Sequence, residues 1–302
     1  MKKILFIFII PFLLSQDLYA ISGNEIAKKS YNVNHSLYIK NMMIKKKKRS
    51  SIITVSRTVG VKPRINAVER FLSNEYDDGV TESKDLVIMR SGKLNGVGIL
   101  MTSYLDPERS HKFMMWLPAL RKVRRMAEPE DAGLGAGDIA FLQDAKLRRF
   151  HEESYSLIKT KVMDIELSMM AFKKGEFGRY SKAFPYKKNT KIRSRKIHIV
   201  KSTYKKKNHW YDHRISYIDS EYFTDYITKY YKNGKVIKVV HRHWVHLGHH
   251  SDPKAKMWYY WYSKDTQTGY EMATYVPKKL IKTDQKVKKS FWSTHTLEKI
   301  KR

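Results

Sequence analysis

Residues 113–126 read FMMWLPALRKVRRM, and this stretch places two opposite chemistries side by side. Its first half is apolar up to Pro118, and a proline after such a run predicts the end of a buried strand. Its second half surrounds one valine with four cations, Arg121, Lys122, Arg124 and Arg125. An apolar wall beside a cationic rim suits an amphiphile with acyl tails and an anionic head. A core strand followed by a solvated edge strand would give the same pattern, and both interpretations stay open at this point.

Candidate strands dominate the chain on both sides of this stretch. Apolar or β-branched segments lie at 38–44, 51–59, 87–90 and 97–104, and then at 192–204, 209–218, 222–231, 236–245, 257–262 and 270–275. Asn233-Gly234, between two of them, is a strong signal for a tight hairpin. Strands at this spacing, joined by turns, predict an antiparallel meander.

Helices are predicted at the margins of the sheet. Residues 22–29 form one candidate, and Ser293-Thr294 can cap a second, in which Leu297 and Ile300 lie three positions apart. Residues 161–190 are ambiguous and favour a helix plus a loop inserted in the sheet. A large sheet with aromatic faces must bury one face by closing into a barrel or by curling around helices. A curled sheet leaves an apolar hollow, which is a natural site for a lipid chain.

The composition limits the possible functions. The chain has 302 residues, 60 Lys and Arg against 29 Asp and Glu, a formal net charge of +31 and no cysteine. Without cysteine there is no disulfide, thiolate metal site, cysteine nucleophile or cysteine-linked lipid anchor. An apolar fraction of 42% with 13% aromatics predicts a folded core. The positive charge predicts an anionic partner such as a membrane surface, lipopolysaccharide or acidic glycan, unless it reflects a general lysine bias.

The first twenty residues have the layout of a secretory signal peptide. Lys2 and Lys3 precede an apolar run from Ile4 to Leu14, and Ala20 offers a small residue at a cleavage point. The run is shorter than the roughly 20 residues that span a bilayer. A buried strand or an uncleaved anchor is the alternative. We therefore predict a signal peptide at 1–20 and an exported protein that is soluble after cleavage, and its length allows one large domain or two small ones.

Other motifs give weaker signals. His241 and His243, in the histidine-rich stretch 241–250, would share a face of a strand and could bind Zn²⁺ or Cu²⁺. Residues 257–262 read MWYYWY and could stack bases or sugar rings, or form a strand with aromatics on both faces. The glycines of 133–137 lack the ending of a phosphate-binding loop. Because no nucleophile or metal-ligand spacing stands out, we predict a non-enzymatic protein without a cofactor or a specific metal site.

Three segments resemble a known family. Residues 116–125, WLPALRKVRR, resemble the signature of the LolA-like outer-membrane lipoprotein-sorting proteins. Residues 136–144, AGDIAFLQD, resemble a second motif of that family, with its Gly-Ser pair altered and its last aspartate one residue late. Residues 290–297, SFWSTHTL, resemble the closing stretch of the family. The first segment is the most specific of the three.

The resemblance implies a strand-dominated α+β fold. It is an unclosed, strongly curved antiparallel sheet, a half-barrel, with helices packed in its concave face. It also implies that 21–302 is a single domain, a soluble periplasmic carrier of lipid or acylated lipoprotein that works with a membrane transporter or a membrane surface.

On this interpretation each part of the cargo has candidate contacts. The predicted cavity wall consists of Leu100, Met101, Met114 and Trp116, and the predicted cationic rim consists of Arg121, Arg124 and Arg125. Nucleic acid is not an expected partner of a carrier. The competing hypotheses are an exported module that binds glycan, lipopolysaccharide or nucleic acid without lipid cargo and, more weakly, a histidine-dependent metalloenzyme.

Overall fold

The computed structural model describes residues 21–48, 50–58, 60–128, 148–173, 175–181, 183–185, 189–248 and 255–300. The described part contains two α-helices, α1 (Gly23–Asn34) and α2 (Thr294–Glu298). It contains fifteen strands: β1 (Asn41–Ile44), β2 (Ile52–Arg57), β3 (Arg64–Ser73), β4 (Thr81–Met89), β5 (Gly98–Tyr104), β6 (Lys112–Leu117), β7 (Lys122–Met126), β8 (Glu153–Leu167), β9 (Thr190–Tyr204), β10 (His213–Asp219), β11 (Asp225–Lys232), β12 (Lys235–His246), β13 (Lys256–Asp265), β14 (Glu271–Tyr275) and β15 (Ile281–Thr283).

All fifteen strands belong to one antiparallel sheet. The main path runs β7-β6-β5-β4-β3-β2-β14-β13-β12-β11-β10-β9-β8, and β1 pairs with both β3 and β15. β7 and β8 follow each other among the strands of the chain, yet they are the two ends of this path, and the described residues form no ladder between them. The sheet is therefore unclosed, and the predicted fold class is confirmed.

Helix α1 lies in the hollow of the sheet. It contacts β8, β9 and β13, although β10, β11 and β12 stand between β9 and β13, so the sheet must curve around it. The Ser22 hydroxyl caps its start by accepting from the backbone N–H of Glu25. Ile26 and Val33 on its inner side pack against Val200 and other buried residues.

Helix α2 covers the other face of the sheet. Leu72 belongs to the buried cluster that also contains Trp258 and Trp261 of β13, which we call the main core. The preceding residue, Phe71, packs with Trp292 and Leu297 beside α2. Successive residues of a strand point to opposite faces, so the two helices lie on opposite sides. Ser293 caps α2 as predicted, accepting from the N–H of Thr296.

The aromatic run 257–262 forms part of β13, with aromatic side chains on both faces. Trp258 and Trp261 belong to the main core, whereas Tyr260 and Tyr262 pack on the opposite face. Strict alternation would separate Trp258 from Trp261, but the register of the β12–β13 ladder shifts between His243 and Trp244. A bulge of this kind lets both indoles reach the same core.

The prediction of a helix within 161–190 is wrong for the described residues. β8 continues to Leu167, and the chain then runs without an α-helix through a short 3-10 turn, Gly178–Tyr180. Met170, Phe172, Phe177 and Phe184 are buried in this segment, and they pack against the β13 face that carries Tyr260. The segment is held by ring packing and has no helical periodicity. The described residues include no helix long and apolar enough to cross a membrane, and the predicted signal peptide lies outside them.

Candidate functional site

A cleft of about 920 Å³ lies where the two ends of the sheet approach each other. One side comes from the end of β7 and the residues after it, 125–128, and from residues 110–111 before β6. The other side comes from residues 148–152 before β8 and from 204–211, which join β9 to β10. The cleft therefore occupies the opening of the half-barrel.

The lining of the cleft is strongly cationic. Five fixed cations contribute to it, Arg125, Arg148, Arg149, Lys206 and Lys207. The carboxylates of its described residues are Glu128 and Glu152, and both contact Arg149. The cleft thus carries an excess of positive charge even when its histidines are neutral.

An ion pair crosses the opening. Arg149 Nη2 donates to both carboxylate oxygens of Glu128, at 2.7 and 2.9 Å, and the backbone N–H of His111 donates to the same carboxylate at 2.8 Å. Burial raises the pKa of Glu128, while Arg149 opposes that rise. The segment that follows β7 is in this way tied to the segment that precedes β8.

Aromatic rings form much of the remaining surface. Tyr204 and His209 stack with their centroids 3.6 Å apart, and Trp210 stacks on buried Tyr230 at 4.9 Å. The Lys238 ammonium lies 5.4 Å from the Trp210 ring centroid, within the range of a cation–π contact. The cleft therefore offers ring faces as well as charge.

A buried polar network lies beneath the cleft. Arg214 donates to the two oxygens of Glu153 at 2.8 and 2.6 Å, and the Tyr211 hydroxyl donates to the same carboxylate at 2.8 Å. Burial alone would raise the pKa of Glu153, but the charge and hydrogen bonds of Arg214, together with Arg148, hold that pKa below its ordinary value. Burial and the Glu153 charge raise the pKa of Tyr211 well above its ordinary value. The network is therefore ionised at Glu153 and Arg214 and neutral at Tyr211.

Arg148 connects the cleft with the interior. Its side chain lines both the cleft and a smaller cavity between α1 and the sheet, and it donates to the hydroxyl of Tyr230. Deeper in the sheet, Arg242 donates to Asp225 at 2.6 Å and lies 4.0 Å from the Trp261 ring centroid. The hollow near α1 is thus lined with buried charge, in contrast to the apolar hollow that the sequence predicted.

The predicted wall residues lie on two faces of the sheet. Leu100 pairs with Met114, and Trp116 pairs with Gly98, which places these side chains together on the face covered by α2. A Cβ at Gly98 would lie 2.3 Å from Cδ1 of Ile300, so the end of α2 packs directly on this patch. Met101 pairs with Phe113 on the opposite face. None of the four lines the cleft.

The predicted rim is divided as well. Arg121 ends the turn between β6 and β7 with a positive φ of 49°, and Arg124 is exposed on β7. Arg125 is the next residue of β7 and pairs with Met114 of β6, and its side chain lines the cleft. The structure therefore brings one of the three predicted arginines to the cleft.

The histidine-rich stretch forms no metal centre among the described residues, which contain no group of three or more potential ligands. His241 and His243 share a face of β12 as predicted, and burial lowers the pKa of both, to about 4 for His241. His241 accepts from the N–H of Ser168 at 3.3 Å. Residues 249 and 250, like the motif at 136–144, lie outside the described residues.

Sequence reasoning missed most of the cleft. Lys206 and Lys207 lie in a run of three lysines, 205–207, between two predicted strands, and this run was the available signal. Arg148 and Arg149 carry no pattern in the sequence that marks them. They become part of a site because the sheet brings its two ends together.

Comparisons with known proteins identify the fold. No family model matches the sequence, and no curated protein matches it. Among solved structures, a protein from Vibrio parahaemolyticus described as an outer membrane lipoprotein-sorting protein domain aligns with a TM-score of 0.64 at 11% identity, over 92% of this chain and 98% of its own. A DUF1329 family protein from Desulfovibrio piger aligns with a TM-score of 0.63 at 12% identity, over 91% of this chain and 98% of its own.

A LolA superfamily protein from Nitrosomonas europaea aligns with a TM-score of 0.52 at 9% identity, over 92% of this chain and 100% of its own. The agreement covers nearly the whole of each chain and includes the curved, unclosed sheet. At such low identity it concerns the backbone arrangement and not the chemistry of any site. The chain therefore shares the fold of these three proteins, a LolA-like fold, as its resemblance to LolA-like lipoprotein-sorting proteins implied.

Proposed function

We propose that the protein is an exported, non-enzymatic carrier that holds a lipid or an acylated lipoprotein at the cleft between β7 and β8. The observation that carries the proposal is the 920 Å³ cleft at the opening of an unclosed sheet, lined by both rings and cations. A neighbour of the same fold is described as a lipoprotein-sorting domain, which agrees with a carrier. Residues 1–20 support export.

The size of the cleft fits part of an amphiphile. Ligand pockets commonly measure about 300–1,000 Å³, so this volume suits a head group and the first part of its chains. Met126, which is 37% exposed, and the rings of Tyr204 and Trp210 provide apolar contact. Each CH₂ group buried there contributes about 0.8 kcal/mol. Several such groups give useful affinity while leaving the cargo accessible to a membrane or a transporter.

The predicted residues take two roles in this proposal. Arg125 belongs to the cleft, and Arg121 and Arg124 extend its positive field along the outer strand. Leu100 of β5 and Met114 and Trp116 of β6 support β7 through their packing with α2 and Val123. Met101 supports β5 and β6 from the other face, next to Phe113.

The test is the identity of bound lipid in the purified protein. The full chain, expressed with residues 1–20 and purified without detergent, should carry a lipid or acylated peptide in native mass spectrometry and lipid extraction. Met126→Asp places a charge among the apolar contacts of the cleft and should remove most of that cargo. Val61→Asp is the matched control, because Val61 is 61% exposed and does not line the cleft.

Two results would contradict the carrier proposal. One is a protein without lipid that binds glycan, lipopolysaccharide or nucleic acid in a salt-sensitive way, which would favour the polyanion-binding alternative. The other is an equal lipid content in Met126→Asp and Val61→Asp, which would place the cargo elsewhere on the molecule.

A further inference from the structure

The charges of the cleft come from three separate segments of the chain. Arg125 lies on β7, Arg148 and Arg149 precede β8, and Lys206 and Lys207 follow β9. Charge-assisted hydrogen bonds from different sides of one space can be made to different oxygens of one anion.

The carboxylates among the described lining residues both lie on one of these cations. Glu128 and Glu152 both contact Arg149. Among the described residues, Arg125, Lys206 and Lys207 form no ion pair with a carboxylate, although all three are exposed to the cleft. Among the described residues that line the cleft, five cations therefore stand against two carboxylates.

The buried network beneath the cleft leaves this charge in place, because its one carboxylate, Glu153, has Arg214 as its ion-pair partner. Arg148 and Arg214 flank Glu153, so two guanidinium groups surround one carboxylate directly beneath the cleft. Buried charges are screened less by salt than surface charges are. Part of the attraction for an anion in the cleft should therefore persist at physiological ionic strength.

We propose that the cleft binds a phosphate group, held by Arg125, Arg148, Lys206 and Lys207. The inference rests on the carrier function proposed above and specifies its cargo as an amphiphile with a phosphate head group. A phosphate has up to two negative charges and several acceptor oxygens, which match the charge excess and the separate positions of the cations. A neutral head group would offer no counterion to Arg125, Lys206 and Lys207, which form no ion pair with a carboxylate in the described part of the chain.

The experiment compares three soluble probes by isothermal titration calorimetry on the mature chain. Dihexanoylphosphatidic acid carries both phosphate and short chains, dihexanoylglycerol carries the chains alone, and inorganic phosphate carries the anion alone. The phosphatidic acid should bind at least about tenfold more tightly than either of the others. Free phosphate and lipid head group are in this way separated as sources of the same chemistry.

The double variant Lys206→Gln/Lys207→Gln tests the named cations. It should weaken the binding of phosphatidic acid and of inorganic phosphate on the order of tenfold, because two charge-assisted contacts are lost. The binding of dihexanoylglycerol should not change. Lys62→Gln/Lys93→Gln is the matched control, with two exposed lysines that do not line the cleft. It should bind all three probes as the wild type does.

The outcomes separate the two proposals. Equal affinity for dihexanoylglycerol and phosphatidic acid, or unchanged affinity in Lys206→Gln/Lys207→Gln, would overturn the phosphate site and leave the carrier function standing. Equal affinity for inorganic phosphate and phosphatidic acid, without binding of dihexanoylglycerol, would support the phosphate site and contradict lipid cargo.

Discussion

Glu153 and Arg214 form a fully buried ion pair at the point where β8 begins. The side chain of Glu153 is inaccessible to solvent and that of Arg214 is 10% exposed. Removing two charges from water is expensive, and such a pair is stable when its remaining polar atoms are also satisfied. Tyr211 supplies one of these contacts to Glu153, and Ser216 accepts from Arg214 at 2.8 Å. The pair therefore fixes the floor of the cleft.

We predict that Glu153→Gln lowers the free energy of unfolding by about 3 kcal/mol at pH 7, because Arg214 is left buried without its counterion. The pKa of Glu153 is lowered by folding, so its contribution is complete above the ordinary pKa and is lost as pH falls through the folded pKa. The difference between wild type and variant should therefore shrink on acidification. Urea unfolding at a series of pH values measures it.

Glu298→Gln is the control for that series, since Glu298 is 55% exposed at the end of α2. It should change the free energy of unfolding by less than about 0.5 kcal/mol. A Glu153→Gln protein as stable as the wild type at pH 7 would show that the pair contributes nothing to stability.

Strand β8 is the longest exposed edge of the sheet in the described part. It covers Glu153–Leu167 and pairs on one side only, with β9. Ile158 and Val162 on it are 48% and 66% exposed, and its ladder has register shifts near both residues. Lysines and bulges on an edge strand oppose pairing with another chain. Lys159 and Lys161, between the two exposed apolar residues, supply the charges.

We expect Lys159→Val/Lys161→Val to self-associate, because the substitutions convert the edge into a continuous β-branched strand with free backbone groups. Sedimentation velocity at rising protein concentration measures the effect. Lys201→Val/Lys229→Val is the matched control, on strands β9 and β11 that are paired on both sides. The edge explanation is wrong if both double variants associate equally, since hydrophobicity alone would then be responsible.

On the scale of the whole molecule, the opening between β7 and β8 decides access to the interior. Two described contacts cross it, the group formed by Glu128, Arg149 and His111, and the pair of Glu108 and His151, whose side chains approach to 3.6 Å. Glu128 and Arg149 are 21% and 16% exposed, which makes their interaction stronger than that of a typical surface pair. Opening of the half-barrel must break this ion pair.

Glu128→Gln should widen the opening, because it removes a contact worth roughly 1–2 kcal/mol. Spin labels at Lys122→Cys on β7 and Lys159→Cys on β8 can measure the width by pulsed electron paramagnetic resonance, since the chain has no other cysteine. The distance distribution should become longer and broader in Glu128→Gln. Glu166→Gln, an exposed change within the β8–β9 hairpin, should leave it unchanged.

An identical distribution in Glu128→Gln and the wild type would mean that curvature alone sets the width of the opening. The Glu128–Arg149 pair would then be a consequence of the closed geometry. In either case the measurement reports on the two sheet ends that form the cleft.

Much of the architecture was determined by local sequence. The Asn233-Gly234 turn joins β11 to β12 with both residues at positive φ, and the Ser22 and Ser293 caps lie at the starts of α1 and α2. Such signals depend on neighbours within a few residues and can therefore be read from the chain. β8 was missed because many of its side chains face solvent and show no apolar alternation. The prediction of export remains a prediction from residues 1–20.

Only the tertiary structure decided which residues meet in the site. Alternation along β5 puts Met101 on the opposite face from Leu100, and the packing of α2 turns Leu100, Met114 and Trp116 into a covered patch. The cleft combines Arg125, Arg149 and Lys206 because the curved sheet brings β7 and β8, the strands at its two ends, close to each other. Local patterns fix the period and the ends of strands, whereas the approach of distant strands depends on twist and bulges summed over the whole sheet.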